Sequence, residues 1–316
     1  MQTTVPAVFD RLSLCRHQDR AAYAFSDFDF LFRDVAARLS ERLDDITRIF
    51  PVAVDLGSHG GILAPYLHRR SGTQHVLSTD YSYEMSQRAR QSLASSVSCS
   101  SDMFVQCDEE ALPFAEGCLD LVTSSLALHW VNDLPGTFVQ VRRILKPDGL
   151  FLGALFGGET LCELKESFLR AESEVEGGVS PRVSPFVDVR DVGMLLQRAG
   201  FALPVVDSDT IPVTYSSPLK LMADLRGMGE SNVLTKRRLT FSRRQTLLRA
   251  SEIYTQNFSD KNGSVRATFQ VVWFLGWVPA ETQPQALKPG SATHSLADAL
   301  GAKVFGVGSE YSDDNE

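Results

Sequence analysis

Val52-Ala53-Val54-Asp55-Leu56-Gly57-Ser58-His59-Gly60-Gly61 is the stretch that decides the fold. A short apolar run ends in an acid and passes into a glycine-rich turn. The residues from Gly61 to Arg70 are helix-like, with Pro65 tolerable only near the start of a helix. Strand, glycine turn and helix in that order open a doubly wound sheet, and the turn then lies at a ligand crevice. Glycines there let a ligand approach the backbone closely. Two phosphate-binding patterns fail. A dinucleotide fingerprint needs glycine at 57, 59 and 62, where this chain has Gly57, His59 and Ile62. A phosphate loop needs Gly-Lys-Ser/Thr, and no Lys or Arg occurs between Phe50 and Leu67. Asp55 would itself repel a pyrophosphate. The crevice suits something other than phosphate.

Outward from this turn, strand and helix signals alternate. Leu31, Val35, Leu39, Leu43 and Ile46 recur at helical spacing ahead of it. After it, His75–Thr79, Phe104–Cys107, Leu119–Ser124 and Leu150–Phe156 read as strands. Tyr83–Leu93 and Leu134–Leu145 read as the helices between them. Such alternation predicts an α/β fold with a mostly parallel sheet covered on both faces. The second half is less regular. Leu161–Glu176 and Val189–Ala199 are predicted helices, the latter closed by Gly200. Pro204–Tyr215 reads as extended, Lys220–Glu252 as mostly helical and Thr268–Val278 as an apolar strand. The expected organisation is an N-terminal helical extension over 1–50 and a main domain over 51–280. That domain carries helical cap insertions at about 161–180 and 219–260. A polar tail over 283–316, partly disordered, follows.

Composition narrows the function classes. The 316 residues carry 31 Lys and Arg against 39 Asp and Glu, a net charge of −8 that argues against a nucleic-acid partner. Hydrophobic residues at 43% and charged residues at 22% are ordinary for a soluble globular chain. The apolar run Val271–Ala280 falls short of the about 20 residues a spanning helix needs, so no transmembrane segment is expected. The 5 cysteines are odd in number and show no C-x-x-C spacing. Neither a disulfide framework nor a zinc ribbon is suggested, and a reducing compartment is the default. The N-terminus lacks the layout of a secretory signal. Arg11, Arg16 and Arg20 are spaced like a basic helical face, interrupted by Asp10 and Asp19.

Further acids stand where later strands end. Asp80 follows His75–Thr79, and Asp108, Glu109 and Glu110 follow Phe104–Cys107. Parallel strands point these ends the same way, giving a row of carboxylates on one rim. A matching ligand has a cationic end, a ribose diol and a base with an exocyclic amine. S-adenosyl-L-methionine meets all three and carries no phosphate. Asp80 is placed to accept from both ribose hydroxyls, as an acid at that spacing does for NAD. Asp108 is placed to accept from the adenine amine. Taken singly, each acid reads equally as a solvated strand end or helix cap. At successive strand ends beside a glycine turn without bases, they favour the cofactor.

With VDLGSHGG, the acid of VLSTDYS, CDEEALPF and LKPDGLFL, the chain resembles the class I S-adenosylmethionine-dependent methyltransferases. The resemblance implies a Rossmann-like, doubly wound sheet of seven strands and a cofactor site at Asp55, Gly57, Gly60, Gly61, Asp80, Asp108, Glu109 and Trp130. His59 is a departure, since members of the class usually have glycine there. Further segments narrow the match: LALHWVNDLP, FGGETL, EGGVSPRVSPF, GMGESN, GSVRATFQ and GSAT. Together they are similar to the family of mitochondrial complex I assembly factors with a methyltransferase fold, described as arginine hydroxylases of a complex I subunit. This implies a complex I subunit as protein substrate and a place in the mitochondrial matrix or on the matrix face of the inner membrane. A bacterial source would make the chain cytoplasmic. The malonyl carrier-protein O-methyltransferases of biotin synthesis share the first half. Methyl transfer to a small molecule or carrier protein, and a non-catalytic assembly chaperone, are the alternatives.

Catalytic candidates follow the fourth strand. His129 is placed to orient or deprotonate a substrate group, and a structural histidine is an equal reading. Trp130 is placed to stack on adenine or wall off the sulfonium, or to pack in the core. His17-Gln18-Asp19 has the H-x-D spacing of an iron facial triad, but the pattern places no further histidine and a surface helix reads better. No metal set is assigned. GMGESN at Gly227–Asn232 is a permissive loop or a helix–helix turn. Glu230 or Glu159 is available to pair with a substrate arginine. Lys236-Arg237-Arg238 and Arg243-Arg244 read as a solvated face or as a dock for a partner protein or an anionic membrane surface.

Overall fold

A computed structural model describes residues 7–96, 103–284, 291, 294–295 and 299–301. The predicted disordered end of the tail and most of GSAT lie outside the described residues. The chain up to Ala280 forms one compact unit, and the residues from Glu281 a second.

The first unit is built on a seven-stranded sheet. Its strands are β1 (Val52–Leu56), β2 (His75–Asp80), β3 (Met103–Gln106), β4 (Leu119–Ser125), β5 (Leu145–Phe156), β6 (Ala202–Tyr215) and β7 (Val265–Trp277). Their spatial order is β3-β2-β1-β4-β5-β7-β6. The first five run parallel, and β7 lies antiparallel to β5 and β6. The chain reverses its strand order on either side of β1 and β4, so the carboxyl ends of those strands flank a crevice.

Helices cover both faces, and the side chains of one strand show why. In β5, Leu150, Leu152, Ala154 and Phe156 join one core cluster, while Phe151 and Leu155 join the other. The first cluster is closed by α2 (Phe30–Asp44), α3 (Ala64–Arg69) and α4 (Tyr83–Ser96). Toward β7 it is closed by α6 (Cys162–Glu176), α8 (Pro218–Gly227) and α9 (Arg244–Phe258). The second is closed by α5 (Leu134–Ile144) and α7 (Val189–Ala199). Strands buried on both sides need these continuous apolar runs. Helix ends follow their local chemistry. Asp10 caps the first helix, α1 (Arg11–Ala22), by accepting from Ser13 N–H at 3.0 Å. Gly200 closes α7 at φ +85.

One predicted element is corrected. Lys220–Glu252, expected to be mostly helical, is helical only toward its two ends. Helix α8 ends at Gly227, and Gly229 turns left-handed at φ +84. Residues 228–243 then run without a helix, burying Met228, Val233 and Leu234, until Arg243 leads into α9. Strand β5 also begins earlier than predicted, because Leu145 pairs with Leu119 ahead of the Pro147-Asp148-Gly149 irregularity.

Candidate functional site

Parallel pairing of β1, β2 and β3 brings Asp55, Asp80, Asp108 and Glu109 to one edge. Asp55 is fully buried, and neither of its carboxylate oxygens has a hydrogen-bond partner. Burial pushes its carboxyl up to about 7. Asp80 accepts from the backbone N–H of His59 at 3.0 Å and of Ser82 at 2.9 Å. Burial, reinforced by the charge of Glu109, raises Asp80 to about 8 despite those bonds. The hydroxyls of Ser58 and Ser125, just past or at the carboxyl ends of β1 and β4, are also buried and unpartnered. Unmatched buried polar groups are costly in a folded protein. This set fits a ligand that carries cationic and N–H or O–H donors, as S-adenosylmethionine does.

The glycine turn is shaped by packing as well. At Gly57, φ is +73 and a Cβ would stand 2.1 Å from that of Ala127. Gly61 is pressed against Ala89 of α4 in the same way, at 3.1 Å. These glycines are therefore required by packing, whatever ligand approaches the turn. His59 takes φ +44 and turns its ring inward, 4.7 Å from that of Phe32. Its Nε2 lies 2.9 Å from the Leu126 carbonyl oxygen. Burial pulls its pKa down to about 4, so the ring is neutral near pH ~7. Gly60 meets the side chain of Arg88, which reaches over from α4 and donates to the Ala22 carbonyl at 3.1 Å.

Arg11 is the residue that sequence reasoning misplaced. Its spacing groups it with Arg16 and Arg20 on a basic helical face. Those two are exposed, but the Arg11 side chain is only 11% exposed. Its Nη2 lies 2.9 Å from Asp108 Oδ1 and also pairs with Glu109. The guanidinium lies over the Tyr81 ring at 4.5 Å. Helix α1 thus reaches across the rim at its Asp108 end. Burial raises the Glu109 carboxyl even beside this cation.

Beyond the rim, at the carboxyl end of β5, a cavity of about 270 Å³ opens beneath α6 and α8. Phe156, Leu161, Phe168, Phe186 and Phe269 form much of its wall, and Trp130 and Glu230 also line it. Trp130 and His129 sit in a 3-10 turn directly after β4. The Trp130 indole donates to Glu230 Oε2 at 2.8 Å, and its ring meets Phe9 edge-on at 5.4 Å. His129 Nε2 lies 3.1 Å from the same oxygen. The His129 ring is buried against Phe156, with centroids 4.7 Å apart. GMGESN is not a helix–helix turn, since α9 begins only at Arg244; it ends α8 and sets Glu230 in the cavity wall. Glu159 is exposed, with its backbone N–H bonded to Gln270.

The H-x-D spacing has a structural use. Asp19 accepts from the Ser82 hydroxyl at 2.5 Å and from the backbone N–H of Glu84 at 3.4 Å, tying α1 to the start of α4. Among the described residues, no group of three or more His, Cys, Asp and Glu side chains is arranged to hold a metal ion. In the basic stretch, Arg237 pairs with Asp10 at 3.0 Å and Arg238 pairs with Glu176.

A methyltransferase domain model matches residues 54–153, the span from β1 to β5 that builds the rim. The mitochondrial arginine hydroxylase NDUFAF5 of Danio rerio is 43% identical over 296 residues, 92% of this chain and 89% of that protein. Its Homo sapiens counterpart is 44% identical over 271 residues, 86% of this chain and 76% of the human protein. The chain belongs to the arginine hydroxylase NDUFAF5 family. Malonyl carrier-protein O-methyltransferases are more distant: that of Nitrosospira multiformis is 32% identical, covering 87% of this chain and 91% of the enzyme. Among solved structures, YcgJ of Bacillus subtilis superposes with a TM-score of 0.55 at 16% identity, over 77% of this chain and 98% of that one. That likeness is one of fold alone; the methyltransferase domain of this NDUFAF5 family member is the match over residues 54–153.

Proposed function

We propose that this chain binds S-adenosyl-L-methionine on the carboxylate rim and acts in mitochondria on an arginine of a respiratory complex I subunit during assembly of that complex. The observation that carries the cofactor reading is the bare, buried carboxylate of Asp55 beside the glycine turn. Asp55 would hold the cationic amino-acid end of the cofactor, Asp80 the ribose hydroxyls and Asp108 the adenine amine. Gly57, Gly60 and Gly61 would shape the turn around the methionine end. Trp130 would close the wall toward the cap. When bound, the cofactor supplies a sulfonium with an activated methyl group. Glu109 would hand its pairing with Arg11 to a new arrangement as the nucleoside enters, because both side chains occupy the Asp108 end. The arginine reading rests on the family, 43% identical over most of the chain.

Association with the matrix face of the inner membrane belongs to the same proposal. The loop after Lys236 exposes Leu239 by 81% and Phe241 by 100% between basic residues, the pattern of a surface that inserts apolar tips among anionic lipids.

Mass spectrometry of complex I subunits from cells with and without this chain tests the activity. One subunit arginine is expected to gain an oxygen only when the chain is present; that oxygen comes not from the cofactor's methyl group but from a separate oxidant, dioxygen with a two-electron reductant, the second oxygen atom leaving as water. A gain of methyl instead would support the transferase alternative. No mass change with failed assembly would support a chaperone.

A further inference from the structure

The cap cavity has an apolar wall with one carboxylate set in it, and the bonds around that carboxylate are uneven. Glu230 has a side chain only 6% exposed. Its Oε2 takes the Trp130 indole N–H at 2.8 Å and lies 3.1 Å from His129 Nε2. Its Oε1 is buried with no partner. A buried carboxylate oxygen without a donor is costly and calls for one. The contacts to Oε2 hold the group in place before any ligand arrives, which lowers the ordering cost of binding.

The other charged groups around the cavity leave this place open. Arg182 donates from Nε to Glu172 at 2.7 Å and from Nη1 to Ser242 at 2.8 Å. Arg226 is an exposed residue of the lining. Glu159 is exposed and does not line the cavity.

A ligand that satisfies both features has an N–H cation on an apolar stem. The stem would lie along Phe156, Phe168 and Phe186, and the cation would meet Glu230 beside the Trp130 ring. A guanidinium does this better than an ammonium, because its planar fork donates directionally to a carboxylate and stacks on aromatic faces. We infer that the cap cavity is the slot for the substrate arginine side chain, with Glu230 as its specificity-determining residue and His129 as a positioning residue that holds Glu230. This rests on the arginine reading of the family and names the residues that carry it out.

The test uses the full chain, titrated calorimetrically with Nα-acetyl-arginine N-methylamide and with its citrulline counterpart. The citrulline compound has the same length but a neutral urea in place of the guanidinium. The wild-type chain is expected to prefer the arginine compound by at least tenfold, about 1.4 kcal/mol. Glu230→Gln should erase the preference. Glu230→Asp should keep it with weaker binding. His129→Gln should weaken binding of the arginine compound while leaving part of the preference. Equal binding of the two compounds by the wild-type chain, binding of neither, or a tenfold preference retained in Glu230→Gln would overturn the inference. The same Glu230→Gln variant in cells separates the two claims. Arginine oxidation continuing at the wild-type level would sink the slot and leave the function standing. No oxidation with the wild-type chain would sink the function, while the binding preference would still judge the slot.

Discussion

Asp55 stores a pH dependence that can be read with the chain free of ligand. An ordinary aspartate titrates near ~3.9, and burial lifts Asp55 to about 7 and Asp80 to about 8. Between the ordinary and raised values the folded chain holds more protons than the unfolded chain. Stability therefore falls as pH rises from ~4 through ~8 and then levels off. Asp55→Asn removes one of these groups. The variant is expected to be the more stable one above pH ~7, with a flatter slope in urea unfolding across this range. An unchanged slope would show that Asp55 is not buried as a bare acid. At this scale the acids were legible from sequence, because parallel strands ending in Asp55 and Asp80 must share an edge. The fate of His59 was not. Its ring is neutral because it packs beside Phe32, a contact that no local spacing announces.

Helix α1 joins the rim through a pair formed far along the chain. Arg11 and Asp108 are separated by 97 positions, so a sequence window sees only three arginines at helical spacing. Removing one member of a buried ion pair leaves an uncompensated charge, which typically costs about 3–5 kcal/mol. Arg11→Met is expected to destabilise the chain toward that magnitude, and adding Glu109→Gln should restore part of it. Urea denaturation of the single and double variants checks this. A loss within ~0.5 kcal/mol, usual for surface changes, would show that the Arg11 pair is not buried. Glu230 was legible as a candidate because GMGESN offered a permissive loop. Its partners were not, since Trp130 lies 100 positions away. The mostly helical reading of 220–252 holds only at its two ends, because Gly229 turns left-handed just past α8 and the chain does not become helical again until Arg244.

Across the whole molecule, the fold was legible because the strands of the parallel half end in turns or acids and, except between β3 and β4, are separated by helices with their own apolar face. The pairing of β7 between β5 and β6 was not, because strand order in an antiparallel edge leaves no periodic signal. The surface carries its own expectation. Phe241 is fully exposed in the loop between α8 and α9. Phe241→Asp is expected to reduce co-sedimentation with vesicles rich in anionic lipid severalfold, with no loss of thermal stability. Equal sedimentation of variant and wild type would remove this loop from any membrane contact.

The account turns on the carboxylate rim receiving a sulfonium nucleoside. Calorimetric titration of S-adenosyl-L-methionine into the wild-type chain and into Asp80→Ala tests it most directly. Saturable binding at one site is predicted for the wild type. A loss of about 1–3 kcal/mol is predicted for the variant, the cost of a hydrogen bond to a charged group. Equal affinity in both proteins, or no binding to the wild type, would contradict it.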